Sequence, residues 1–297
     1  MIKVNDIEVK TGKFPDGTPE MLHVSHIVIY NITDTYNIPN INFSWNYEDD
    51  SELVKLIYLV NHYREQLGRF PKYNLFMPYI PNARMDRTKS NDEVFTLKWF
   101  AKIINSLEFD NVYVLDPHSD VSVALINNLV KENVDRYIID AKEHIYESFR
   151  NNESHEIVIY FPDAGAYKRY KDLYSINNHK KIYGEKVRDW KTGEILGLKV
   201  VNENGVEITD NNYLKDKVVL MIDDIISYGG TLYYSTNKIK EFNPYKIYAY
   251  ATHVEPKSLW DEEKGKFKQS LISGDVERLF TTNSIYNLGD SVNVKVL

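Results

Sequence analysis

The chain has 297 residues, 43% of them apolar, no cysteine and a formal net charge of −7. That length can bury two cores of roughly 150 residues each, the lack of cysteine excludes disulfides and thiolate metal sites, and no uncharged apolar run approaches the ~18 residues that cross a bilayer. The acidic balance disfavours a general nucleic-acid surface, and the opening MIKVNDIEVK, without the apolar core of a signal peptide, predicts a cytoplasmic protein.

In chain order, residues 22–30 read as a β-rich segment, and Ser51–Leu67 carries Leu53, Leu56, Ile57, Val60 and Tyr63 at helical spacing before the stop signal Gly68. Residues 73–80 read as a strand. Arg84 and Arg87 follow it, three apart and flanking Asp86. Their planar donor forks suit phosphate oxygens, and a surface ion pair with Asp86 or Asp92 is the plainer alternative. Residues 94–107 repeat the helical period through Leu97, Phe100, Ala101 and Ile104, and Asn111–Leu115 is a short buried strand. At its end stand Asp116, His118 and Asp120, a ligand set for magnesium or an ordinary structural cluster.

A second alternating series begins at residues 156–161 and continues as a helix over 164–174. Asp163 lies between the two, placed to hold magnesium or to cap the helix. Residues 182–210 are less regular and predict a hairpin or mobile loop; Lys186 and Arg188 in it could close over a triphosphate or stand as solvated charges. The run VVLMIDDIISYGGT, residues 218–231, is the most informative in the chain. Five apolar residues form a buried strand, Asp223 and Asp224 emerge at its carboxyl edge to accept from sugar hydroxyls, and Gly229-Gly230 lets backbone N–H groups crowd toward a phosphate. Thr231 and the helix N-terminus favour the same anion. A helix to Phe242 and a strand over 246–252 follow, with His253 at the strand end, either at the site edge or packed. Residues 278–282 and 292–296 are β-like pieces that periodicity does not place. Two α/β domains result, 1–147 and 148–297, divided near residues 140–155.

These segments in this order resemble those of ribose-phosphate pyrophosphokinases, the phosphoribosyl pyrophosphate synthetases. GKFPDG at 12–17, PYIPNARMDR at 78–87, LDPHSD at 115–120, FPDAG at 161–165, EKVRD at 185–189, IDDIISYGGT at 222–231 and YATH at 250–253 are similar to that family's motifs, and they span nearly the whole chain. The resemblance implies two phosphoribosyltransferase-type, Rossmann-like α/β domains, each a mostly parallel sheet flanked by helices, working as a homo-oligomer, a dimer or a multiple of dimers. It implies transfer of the β,γ-diphosphate of MgATP to the anomeric hydroxyl of a ribose phosphate. Phe14 and Asp16 would recognise adenine, from a neighbouring subunit; Arg84, Asp86, Arg87 and His118 would hold ATP; His118 and Asp163 would bind Mg2+. Lys186 and Arg188 would stabilise the transferring group. Asp223 and Asp224 would hold the ribose hydroxyls, and Ser227, Tyr228, Gly229, Gly230 and Thr231 would cradle the 5-phosphate.

The departures are informative. Met85 stands where the family has glutamine, Gly165-Ala166 where it has Gly-Gly, Val187 where it has a second catalytic-loop arginine, and the tail lacks the period of a long C-terminal helix. Tyr228 replaces the threonine of the phosphate loop. Threonine donates a hydroxyl to a terminal phosphate, whereas tyrosine offers an aromatic face. ADP-ribose is therefore the expected acceptor, its adenine stacked on Tyr228, as in phage-encoded homologues that make ADP-ribose 1-pyrophosphate for NAD salvage; the cytoplasm would then be the host cell's. Ribose 5-phosphate is the alternative acceptor, and a non-catalytic regulatory homologue is a third reading.

Overall fold

The computed structural model describes residues 1–21, 40–149, 155–188 and 195–297. The segment expected at 22–30 and the side chain of Arg188 lie outside the described residues. Two units form, Met1–Asn133 and Val134–Leu297.

In the first unit the order is β1 (Ile2–Val4), β2 (Ile7–Glu8), β3 (Thr11–Lys13), β4 (Pro19–Met21), β5 (Asn40–Trp45), α1 (Ser51–Leu67), β6 (Lys72–Phe76), α2 (Thr96–Ser106), β7 (Asn111–Leu115), α3 (Asp120–Leu125) and β8 (Leu129–Glu132). The six-stranded sheet runs β2-β1-β5-β6-β7-β8, parallel from β5 to β8, while β3 and β4 form a separate hairpin. Alternation decides which face is apolar. Ile41, Phe43, Trp45, Tyr73, Leu75, Val112 and Val114 meet the buried stripes of α1 (Leu56, Leu59, Val60, Tyr63) and α2 (Leu97, Phe100, Ala101, Ile104). The intervening residues are polar: the Asn74 amide donates to Asn42 at 3.0 Å and accepts from Asn111 at 3.0 Å. Gly68 ends α1 with φ 66°, its N–H bonded to the Arg64 carbonyl. β6 stops at Phe76, short of the expected residue 80, because Pro78 has no N–H for the ladder.

The second unit contains α4 (Asp135–Glu147), β9 (Ile157–Phe161), α5 (Ala164–Tyr170), β10 (Lys181–Arg188), β11 (Ile195–Asn202), β12 (Val218–Ile226), α6 (Gly230–Lys240), β13 (Lys246–Val254), α7 (Pro256–Leu259), α8 (Phe267–Ile272), β14 (Arg278–Thr281) and β15 (Val294–Val296). Its sheet order is β11-β10-β9-β12-β13-β14-β15, parallel except for the β10–β11 hairpin. Every residue of β9 is buried, as expected of a central parallel strand.

Two features differ from the sequence expectation. The units divide at 133/134, ahead of the expected 147/148, because α4 belongs to the second unit: Asp135 accepts from the Ser175 N–H at 2.7 Å, and Ser148 bonds Tyr248 at 3.0 Å. β12 runs on to Ile226, with Asp223 opposite Ala251 and Ile225 opposite His253, so the two aspartates lie in the ladder rather than beyond it. The hairpin that was one expectation for residues 182–210 is present as β10 and β11, and the two tail pieces that periodicity does not place extend the parallel sheet past β13.

Candidate active site

Strand order places the site in the second unit. β9 lies between β10 and β12, so the connection through α5 leaves β9 in one direction and the chain from β12 through α6 leaves in the other. The crevice at such a reversal, outside the carboxyl ends of the strands, is where open α/β sheets bind ligands. Asp163 stands at the tip of β9, and Asp223 and Asp224 stand near the tip of β12.

Asp163 caps α5: its Oδ1 accepts from the Gly165 and Ala166 N–H groups, each at 3.0 Å. Its other oxygen faces Lys186 Nζ at 3.7 Å. Asp163 thus caps the helix with one oxygen and faces a lysine with the other. Asp224 is buried and paired with Arg169, Nη1 to Oδ2 2.8 Å. Burial pushes the Asp223 carboxyl well above the ordinary carboxylate value, and the charge of Asp224 adds to the shift. A carboxyl so desolvated gains from sugar hydroxyls that donate to it.

The loop after β12 is shaped by its neighbours. Gly229 has φ 71°, and a Cβ there would lie 2.2 Å from Phe267 Cβ. The Tyr228 carbonyl accepts from the N–H groups of Lys266 at 2.8 Å and Phe267 at 3.3 Å. These contacts hold the turn so that α6 starts at Gly230 with its first N–H groups exposed to an incoming anion. The Ser227 hydroxyl, expected to face phosphate, donates instead to Glu255 Oε2 at 2.6 Å. Tyr228 is 41% exposed, with Lys264 Nζ 5.8 Å from its ring centre. Beside the loop a cleft of about 590 Å3 is lined by Pro162, Lys186, Leu198, Thr231 and Tyr234, among others. His253 is packed, not at the cleft; its Nδ1 bonds Ser284 Oγ at 2.8 Å.

In the first unit, the tips of β6 and β7 come together. Buried Asp86 accepts from Arg87 Nε at 2.8 Å and Nη2 at 3.2 Å. That hydrogen bond, a further one from Ser119 and the charges of Arg87 and His118 hold the Asp86 carboxyl below its usual value. The Arg87 side chain is nevertheless 77% exposed, so the ion pair orients one edge of the guanidinium and leaves the other toward solvent. Phe14, 49% exposed, lies between β3 and β4. Asp16 braces this turn by accepting from the Thr18 N–H at 3.0 Å and hydroxyl at 2.7 Å.

Among the described residues no three His, Asp or Glu side chains cluster as a metal site. Mg2+ keeps several waters and takes one or two carboxylates plus substrate phosphates, a demand that the 43% exposed carboxylate of Asp163, its Oδ2 3.7 Å from Lys186 Nζ, could meet for an ion arriving with a nucleotide. Sequence reasoning missed Arg169, Glu255 and Gly184. No motif marks the first two. A Cβ on Gly184 would meet Pro162 O and Tyr160 Oη at 2.6 Å each, a close approach only the folded hairpin reveals.

No protein-family model matches the chain. It is 26% identical over 285 residues to the ribose-phosphate pyrophosphokinase of Sulfurisphaera tokodaii, covering 96% of this chain and 87% of that one. To the enzyme of the same name from Pyrococcus abyssi it is 27% identical over 286 residues, covering 95% and 85%. The crystal structure of phosphoribosylpyrophosphate synthetase from Mycobacterium smegmatis superposes with a TM-score of 0.68 at 15% identity, covering 99% of this chain and 87% of that one. That likeness shows a shared fold. Along nearly its whole length the chain is thus similar to enzymes named ribose-phosphate pyrophosphokinase.

Proposed function

We propose that the chain is a ribose-phosphate pyrophosphokinase that transfers the β,γ-diphosphate of MgATP to the anomeric hydroxyl of a ribose 5-phosphate moiety. The hydroxyl oxygen forms a bond to the β-phosphorus, the bond from that phosphorus to the α-phosphate oxygen breaks, the hydroxyl proton is lost to solvent, and AMP leaves. The observation that carries this reading is a cleft lined by Lys186, Gly230 and Thr231, beside β12, whose end carries Asp223 and Asp224.

Diphosphoryl transfer requires positioning and charge neutralisation more than a covalent nucleophile. Asp223 and Asp224 orient the sugar, the N–H groups at the start of α6 hold its 5-phosphate, and Lys186 offers a cation to the moving group. Magnesium, when carried in by ATP, spreads the triphosphate charge; Asp163 and His118 are its proposed contacts. Arg84, Asp86 and Arg87 serve ATP, and Arg188 joins Lys186. Exposed Phe14 with Asp16 would serve adenine in a neighbouring subunit of a homo-oligomer. No described helix is long and apolar enough to cross a membrane, and the reaction belongs with the nucleotide pools of the cytoplasm.

The names of the relatives move the weight to ribose 5-phosphate as acceptor, which the sequence alone had placed second. ADP-ribose remains the second reading because Tyr228 presents its ring at the phosphate loop. A regulatory, non-catalytic role is disfavoured by the placement of Lys186 and Asp163 in one ion pair at the crevice. Incubation with MgATP and each acceptor, with products read by mass, tests the proposal: a sugar 1-pyrophosphate and stoichiometric AMP are expected, and no AMP with either acceptor refutes it.

A further inference from the structure

β12 brings two carboxylates to its tip on opposite faces of the sheet. Met221 lies opposite Tyr160 in the parallel ladder with β9, and the Tyr160 hydroxyl donates to Ser235 Oγ of α6 at 3.0 Å. Side chains two apart along a strand share a face, so Asp223 stands on the α6 side and Asp224 on the side of α5. No single neighbour can fix both. The Asp224 N–H donates to Asp223 Oδ1 at 3.0 Å, which ties the first carboxyl to the main chain of the second. The second carboxylate is held from α5 by Arg169, Nη1 to Oδ2 2.8 Å.

Arg169 rides on a helix anchored at both ends. Asp163 caps the first turn of α5 through the Gly165 and Ala166 N–H groups, and Tyr170, 1% exposed, buries the last. The Arg169 guanidinium lies 5.7 Å from the Tyr170 ring centre. Its side chain is 23% exposed, against 7% for Asp224. A cation flanked by a ring and a carboxylate has few rotamers open to it, and a guanidinium stays charged across the working pH range.

Two adjacent carboxylates repel, and the charge of Asp224 already pushes the Asp223 carboxyl upward. A cation on the α5 side draws that charge away from Asp223 and lets the two acids stand together at one strand tip. Neighbouring hydroxyls of a ribose need acceptors at a set spacing, and a misplacement of about 1 Å can cost on the order of a hundredfold in rate.

Resting on the pyrophosphokinase reading above, we propose that Arg169 is a positioning residue for the acceptor sugar: from α5 it holds the Asp224 carboxylate and, through the main chain, the spacing of Asp224 from Asp223. It acts only through Asp224, so its removal should weaken the acceptor and spare the nucleotide.

Calorimetric binding of ribose 5-phosphate and, separately, of MgATP to the full chain, read beside the melting temperature, tests this without requiring turnover. Arg169→Lys retains a cation and loses the planar fork; it should melt within about 3 °C of the parent yet weaken ribose 5-phosphate about fivefold. Arg169→Leu should weaken it on the order of thirtyfold, while MgATP stays within about twofold in both variants. Adding Asp224→Asn to Arg169→Leu removes the buried unpaired charge and should recover part of the melting temperature without recovering affinity for the sugar phosphate. Should Arg169→Leu fail to fold, Arg169→Lys decides by the same comparison of affinity with melting. Affinity that follows melting temperature across the variants, equal losses for both probes, or parent-like affinity for ribose 5-phosphate in both single variants would overturn the positioning role and leave the pyrophosphokinase reading standing. A parent that binds neither probe would overturn that reading itself.

Discussion

Gly229 and Gly230 are adjacent, yet the structure assigns them different duties, and alanine at each separates the two. At Gly229 the backbone sits at φ 71°, and an added Cβ would lie 2.2 Å from Phe267 Cβ and 3.3 Å from its Cα. Left-handed backbone costs a non-glycine residue about 1–2 kcal/mol. The contact is more than an ångström inside the ordinary carbon–carbon separation of ~3.5–4.0 Å, and because it involves main chain it is relieved only by parting the loop from α8, which adds about 1–3 kcal/mol. Gly229→Ala should therefore lose about 2–5 kcal/mol, lowering the melting temperature on the order of 5–15 °C at roughly 2–4 °C per kcal/mol. At Gly230, φ is not positive and the nearest atom to an added Cβ is Lys266 Cδ at 3.8 Å. Gly230→Ala should melt within about 2 °C of the parent or slightly above it, since alanine favours the helix, but its methyl group obstructs the approach of phosphate and should raise the acceptor KM about tenfold. Thermal unfolding and acceptor titration measure both. An unchanged melting temperature for Gly229→Ala, or equal destabilisation by the two substitutions, would refute the reasoning.

Three further outcomes follow from the same geometry. Lys186→Ala should lower kcat by about 10²–10³ while ATP affinity changes less than about threefold, because this cation acts on charge developed during transfer; equal losses in kcat and affinity would contradict it. Asp223→Asn should abolish turnover yet stabilise the unliganded protein by about 1–2 kcal/mol at pH 7. The sign comes from a folded-state pKa raised by burial: the native state holds the proton more tightly, so stability from this group falls as pH rises from the ordinary value of 3.8 through the raised one. The advantage of the asparagine variant should accordingly shrink as the pH is lowered, and a constant advantage across pH would count against it. Arg169→Leu leaves the Asp224 carboxylate buried without the guanidinium 2.8 Å away; a loss of about 3 kcal/mol is expected, partly recovered by adding Asp224→Asn, and denaturant unfolding of the single and double variants reads both.

The sequence by itself determined the parts whose physics is local. Helical spacing and Gly68 set the bounds of α1 at Ser51–Leu67, the apolar run set β7 at Asn111–Leu115, and the glycine pair after Asp223-Asp224 located the turn into α6. Each depends on periodicity or on a conformation that few residues tolerate. What the tertiary structure decided is which strand tips face one another. Placing β9 between β10 and β12 brings Lys186 to Asp163 at 3.7 Å, and the pairing of α5 with the same crevice gives Asp224 its arginine. Parallel pairing also carried the ladder through the two aspartates to Ile226, beyond the point where the apolar run ends, because main-chain bonds to β13 continue regardless of side-chain polarity. The bond from Ser227 to Glu255 joins residues at the ends of neighbouring strands and far apart in the chain. No sequence window spans such a pair, and the charge it places beside the phosphate loop becomes visible only once the sheet is assembled.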